Sequence, residues 1–166
     1  MNLLKYAMFV VLGVITAGSA RAATQLGQFN DWTAFTDNAG GQKSCFVVSK
    51  PTKKAPSNVR RDEVLFYVTF WANNPRQAEP NVVTGYPYKP GSNPTISIGD
   101  ATFSMFAKGD AAWMADAASE NKLVAAMRKG STMIVKGTSR RGTLTTDNYS
   151  LTGVTKALAR AAKACQ

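Results

Sequence analysis

The chain contains no histidine. That removes the usual proton-transfer group near neutral pH, the Ser-His-Asp and Cys-His nucleophile pairs, and the commonest zinc ligand. Only two cysteines are present, Cys45 and Cys165, and they are too far apart in sequence for C-x-x-C redox chemistry. Acidic side chains are scarce, ten Asp and Glu against twenty Lys and Arg. Asp62, Glu63, Asp100, Asp110, Asp116 and Asp147 stand singly or in turns, the usual setting of solvated acids, so a paired-carboxylate hydrolase has little support. Beyond the N-terminal leader no apolar run approaches the roughly 20 residues that cross a bilayer. No repeat of solenoid period is present. The residues call for no metal and no cofactor, and the expected protein is not an enzyme.

What is present begins with an address. Lys5 precedes the apolar stretch 6–15, then come Thr16, Ala17, Gly18, Ser19 and Ala20, and Ala20-Arg21-Ala22 forms the A-x-A pattern of a signal-peptidase site. Residues 1–22 are expected to be a cleaved signal peptide, and residues 23–166 a single domain that is periplasmic or secreted, with outer-membrane association allowed. Of the net charge of +10, Lys5 and Arg21 lie in the leader, which leaves about +8 on the mature chain. In the cytoplasm such a balance would suggest nucleic acid. After export the available polyanions are lipid headgroups, envelope phosphates, acidic glycans and host surfaces, so nucleic acid is not an expected partner. Two cysteines in an oxidising compartment are most simply one disulfide, Cys45 to Cys165.

Along the mature chain the pattern is mainly β. The stretch 28–36 reads as one strand ending at the breaker cluster Asp37-Asn38-Ala39-Gly40-Gly41, and 45–49 as a second. The stretch 52–61 is a Pro-containing basic loop. Val64-Leu65-Phe66-Tyr67-Val68-Thr69-Phe70-Trp71 is apolar or aromatic on both alternating faces, which predicts a central strand covered on both sides. An aromatic-lined ligand groove is the alternative there. Residues 73–80, with two prolines, read as a linker, and 82–84, 95–98, 101–106 and 112–114 as short strands.

Leu123, Val124 and Met127 recur at helical spacing within 119–129, with Asp116 or Ser119 as cap and Gly130 in the position of a C-terminal glycine. A hairpin follows over 132–151 with its turn at Arg140-Arg141-Gly142. The end is a short helix on which Val154, Leu158, Ala161 and Cys165 share one side, opposite Lys156, Arg160 and Lys163. A basic helix lying on a membrane is the rival for this last element.

Two motifs are decoys. Ser119-Glu120-Asn121-Lys122 fits the S-x-x-K of penicillin-recognising enzymes, but neither S-D-N nor K-T-G accompanies it. Gly40-Gly41-Gln42-Lys43-Ser44 lacks the glycine immediately before lysine and the strand-to-helix setting of a phosphate loop.

Several stretches, taken in order, resemble the invasion-associated locus B family of exported bacterial proteins. They are Asp31-Trp32-Thr33, Arg61-Asp62-Glu63-Val64 leading into Phe66-Tyr67-Val68-Thr69-Phe70-Trp71, and Gly85-Tyr86-Pro87. Later come Leu123-Val124-Ala125-Ala126-Met127-Arg128-Lys129-Gly130-Ser131, Gly137-Thr138-Ser139, Arg141-Gly142-Thr143 and Tyr149-Ser150-Leu151-Thr152-Gly153. The resemblance implies an immunoglobulin-like β-sandwich, here with one internal helix and a short C-terminal helix, and for some members a link to host-cell entry. It carries over no catalytic residue.

The binding candidates are Lys50, Lys53, Lys54, Arg60 and Arg61 in the basic loop, joined by Arg140 and Arg141 at the hairpin tip. Whether these form one surface is left to the fold. The expected function is an exported, non-enzymatic envelope protein that assists host-cell interaction or invasion by binding anionic envelope or host-surface polymers or a protein partner, peripheral membrane contact included, with virulence as the associated role. The alternative is a periplasmic accessory protein that pairs with an envelope protein through a sheet edge or through Tyr86 and Tyr88. An enzyme of unknown mechanism stands third.

Overall fold

Alternating apolar and polar side chains, the period of a half-buried strand, run through most of the described chain. The computed structural model describes residues 22–38 and 41–166. The leader therefore lies outside the described residues, as does part of the break after β2. The elements run β1 (Thr24–Phe29), β2 (Trp32–Asp37), β3 (Ser44–Ser49), β4 (Lys53–Ala55), β5 (Leu65–Trp71), β6 (Asn74–Val83), β7 (Thr95–Ile98), β8 (Ala101–Ser104), β9 (Phe106–Lys108) and β10 (Ala111–Trp113). They continue with α1 (Ala117–Lys129), β11 (Thr132–Thr138), β12 (Leu144–Ser150) and α2 (Val154–Ala164). Two antiparallel sheets result, ordered β1-β2-β3-β5-β6-β10-β9 and β4-β12-β11-β7-β8. The protein is a mainly β sandwich with two helices. No helix among the described residues is long and apolar enough to cross a membrane.

The inner faces meet in one core. Trp32, Phe66 and Val68 from the larger sheet and Met133, Val135 and Tyr149 from the smaller are all buried. Phe66 sets its ring edge-on to Trp32 (6.2 Å) and to Tyr149 (5.8 Å), which joins the two sheets. The Trp32 indole N–H donates to the Ser150 carbonyl at 2.9 Å, satisfying its one polar atom.

The structure corrects several sequence expectations. The single strand read over 28–36 is a hairpin, because Asn30 takes φ 53, a left-handed conformation that Asn tolerates better than most residues. β5 is the middle strand of its sheet, but only Phe66, Val68 and Phe70 are fully buried. Its other face is half-covered by neighbours on the same sheet, with Phe46 stacked on Phe35 and edge-on to Tyr67. Residues 73–80 are not a linker but most of β6. Pro75 and Pro80 are accommodated because β10 pairs only with Asn81, Val82 and Val83. Their missing N–H groups therefore interrupt no ladder on that side. Gly130 ends α1 with φ −83, not a left-handed angle. It is required because a Cβ there would sit 2.4 Å from a methyl of Ile98. Asp116 caps α1, its carboxylate accepting the Ser119 N–H at 2.8 Å.

α2 closes the core. Val154, Ala157, Leu158 and Ala161 are buried, and the two alanines are small enough to bring the helix close to β1, β2 and β3. Cys165 at its end is bonded to Cys45 on β3 across 120 residues of sequence, with the Cα atoms 5.7 Å apart. In the chain-entropy account, closing a loop of that size stabilises by up to ~4–5 kcal/mol. Reduction, or Cys45→Ala with Cys165→Ala, should therefore lower the urea midpoint substantially, and an unchanged midpoint would remove the disulfide from the account of stability.

Candidate functional site

Segment 58–63 has no regular structure, and besides an exposed pair between Glu63 and Lys50 three contacts hold it. The first is a buried ion pair. Arg61 donates from its two terminal nitrogens to both oxygens of Asp147 on β12, at 2.9 and 2.5 Å. The side chains are 4% and 1% exposed. Burial disfavours the Arg61 cation, yet the hydrogen bonds and charge of Asp147 outweigh burial and leave its pKa raised. The second contact is the Tyr86 ring, which lies 5.8 Å from the Arg61 guanidinium carbon, within cation–π range. The third is the backbone bond from Asp62 N–H to the Gly85 carbonyl, 3.1 Å. Gly85 has φ +69, and a Cβ there would lie 2.4 Å from the Asp62 carbonyl oxygen. Only glycine allows that approach.

The next segment is fastened to the hairpin tip by main-chain bonds. Arg140 N–H donates to the Pro87 carbonyl (2.8 Å) and Lys89 N–H to the Thr138 carbonyl (2.9 Å). Inside the turn, Gly142 N–H donates to the Ser139 carbonyl (2.8 Å), and Thr143 N–H to the Ser139 hydroxyl oxygen (3.1 Å). The Tyr86 and Thr145 hydroxyls lie 2.6 Å apart, and Thr145 donates to the Gly137 carbonyl. Three segments distant in sequence are thus tied into one rim.

That rim encloses a cleft of about 580 Å³. Arg60, Arg61, Tyr86, Pro87, Arg140 and Arg141 are among the residues that line it. A smaller hollow of about 320 Å³ adjoins it, sharing Val59, Arg60 and Arg61 and adding Lys54. The basic loop and the hairpin tip are neighbours, a point that the sequence left open. Arg60, Arg140, Arg141 and Lys54 are exposed and form no ion pair among the described residues.

The remaining sequence candidates fall elsewhere or serve otherwise. Lys50 is not at the cleft; it pairs with Glu63 at 2.5 Å on the surface and borders a separate hollow with Asn30 and Phe35. Arg61 is no free cation but the buried partner of Asp147. Lys53 and Lys54 lie not in a loop but on β4, the three-residue edge strand of the smaller sheet, where lysines discourage pairing with another chain. Of the two aromatics, Tyr88 is buried at 5% exposure, while Tyr86, its hydroxyl engaged with Thr145, lines the cleft.

Asp147, read from sequence as a solvated acid, is fully buried. The available signal was the alternation Thr145, Asp147, Tyr149 on one face of a strand. Ser139 and Thr145 carried no signal as site residues. Among the described residues, no group of three His, Cys, Asp or Glu is placed to hold a metal ion.

The profile of the invasion associated locus B (IalB) protein family matches residues 32–162. Among solved structures, the crystal structure of invasion associated protein b from Bartonella henselae is similar in fold. The TM-score is 0.63 at 15% sequence identity, over 87% of this chain and 98% of that one. No curated protein matches the chain.

Two outcomes follow from the buried cluster. Asp147→Ala strands the Arg61 charge and should cost about 3–5 kcal/mol in urea unfolding, whereas Arg61→Met with Asp147→Leu should cost far less. Burial also pushes the phenols of Tyr88 and Tyr149 above their ordinary value of 10.0. Below that value both folded and unfolded chains hold these protons. Above it the unfolded chain releases them first, so stability should fall as pH rises past it. Tyr88→Phe with Tyr149→Phe should flatten that fall, as measured by melting temperature against pH.

Proposed function

Since the chain belongs to the invasion associated locus B family, we propose that it is an exported binding protein of the bacterial envelope that engages anionic surfaces through the arginine cleft. The leader read over residues 1–22 supports export to the periplasm or beyond, where phosphate-bearing and acidic polymers are the abundant polyanions. Binding, not catalysis, accounts for the residues at the cleft: arginines, hydroxyls and an aromatic floor, with no nucleophile–base pair among them. The observation that carries the reading is the convergence of Arg60 with Arg140 and Arg141, about 80 residues apart in sequence, around one cavity. A role in host-cell interaction would follow if the anionic surface were the host's.

Electrostatic binding of this kind weakens as salt screens the charges. The mature protein should sediment with vesicles containing phosphatidylglycerol at low ionic strength and release them as salt rises. The combined substitution Lys54→Gln, Arg60→Gln, Arg140→Gln and Arg141→Gln should abolish sedimentation while circular dichroism and melting stay near those of the parent. Full retention by that variant would defeat the proposal.

A further inference from the structure

Arg60, Arg140 and Arg141 line the same cleft, and no carboxylate lines it among the described residues. The cavity has the volume of a small-molecule site, within the usual range of roughly 300–1,000 Å³. Main-chain bonds join the segments that line it.

Its hydroxyl groups are unequally engaged. Tyr86 and Thr145 are hydrogen-bonded to each other, and Thr145 also donates to Gly137. Ser139 accepts the Thr143 N–H through its oxygen, and its own O–H has no acceptor among the described residues, although the residue is only 8% exposed. A nearly buried donor without an acceptor calls for one. Beside these donors stand Val59, Pro87 and the Tyr86 ring, an apolar wall suited to the flat face of a ring.

The donors discriminate among anions. A carboxylate carries a single negative charge on two coplanar oxygens, which one guanidinium fork can engage together. A phosphate monoester offers three terminal oxygens and close to two negative charges, so it can take donors from more than one guanidinium and a hydroxyl proton at once. We infer that the cleft holds a phosphate monoester carried on a hydroxylated ring, the phosphate between Arg60, Arg140 and Arg141 and the ring against Tyr86 and Pro87. This rests on the anion-binding reading above and narrows it. A soluble sugar phosphate and a phosphorylated lipid headgroup share that chemistry.

Calorimetry and amide chemical-shift mapping on the full mature protein test it, with glucose phosphate, inorganic phosphate, glucuronate and glucose as probes. Glucose phosphate should bind about tenfold or more tightly than glucuronate. It should exceed inorganic phosphate by the ring contact, shift the amides of Ser139, Arg140 and Arg141, and leave glucose without detectable binding. Arg60→Gln with Arg140→Gln and Arg141→Gln should lower the affinity about tenfold or more, and Ser139→Ala should lower it by a smaller factor. The shift map on the unsubstituted protein decides the location should a variant fold poorly. Preference for vesicles bearing phosphatidylinositol phosphate over phosphatidylserine at equal charge would name the membrane as source, and its absence beside glucose phosphate binding would name the soluble ligand; both support the inference. Glucuronate binding as tightly as glucose phosphate overturns it and leaves the cleft an anion site. So does binding to heparin or anionic vesicles without any binding of glucose phosphate, which leaves the broader reading intact. Failure of every anion to bind removes both.

Discussion

The buried pair of Arg61 and Asp147 is the constraint on which the candidate site depends. Removing two charges from water costs several kcal/mol for each, and only close bidentate geometry with further support offsets it. That support is present: both carboxylate oxygens are occupied and the Tyr86 ring lies against the guanidinium. The pair has no net charge, so it anchors segment 58–63 and leaves the net charge at the cleft to the exposed arginines. The exposed arginines above it keep their full positive potential. Without the pair, the segment would keep one backbone bond to Gly85 and the exposed Lys50–Glu63 pair, which contributes little, and Arg60 would be held less firmly at the cleft.

A rim fixed in advance matters for binding because less side-chain and loop ordering remains to be done when a ligand arrives. Two of the three segments around the cleft are short irregular stretches, whose conformation is set by main-chain bonds to one another and to β11. The third is a tight hairpin turn held by Ser139 and Gly142. The disulfide works on other segments. It joins β3 to the end of α2, drawing an amphipathic helix over the larger sheet, and holds the core on which both sheets rest.

Much of the fold was legible because burial imposes short-range periodicity. The core strand β5, the hairpin of β11 and β12 and both helices follow from alternation at period two or from spacing near 3.6. The misreadings have particular causes. β6 was hidden by two prolines, which are tolerated because β10 is too short to pair beside them. The hairpin of β1 and β2 was hidden because Asn30-Asp31 sits inside a run of otherwise strand-forming residues. The site was legible only by charge. Lysines and arginines could be counted, but Lys50, Arg61 and Arg140 look alike in a sequence, although the first pairs on the surface, the second is buried and the third is free at a cavity.

By itself the sequence determined the mainly β architecture, the two helices with their apolar faces, the strongly basic balance and the lack of histidine chemistry. These are properties of composition and local pattern, and they hold whatever the strands pair with. Only the tertiary structure decided that β4 joins the sheet of β12, that Asp147 receives Arg61 from 86 residues away, and that Arg60 meets Arg140 and Arg141 across one cleft. The reason is physical: desolvation and pairing of charges depend on distance in space, and strand order, which sets that distance, leaves no periodic mark on the chain.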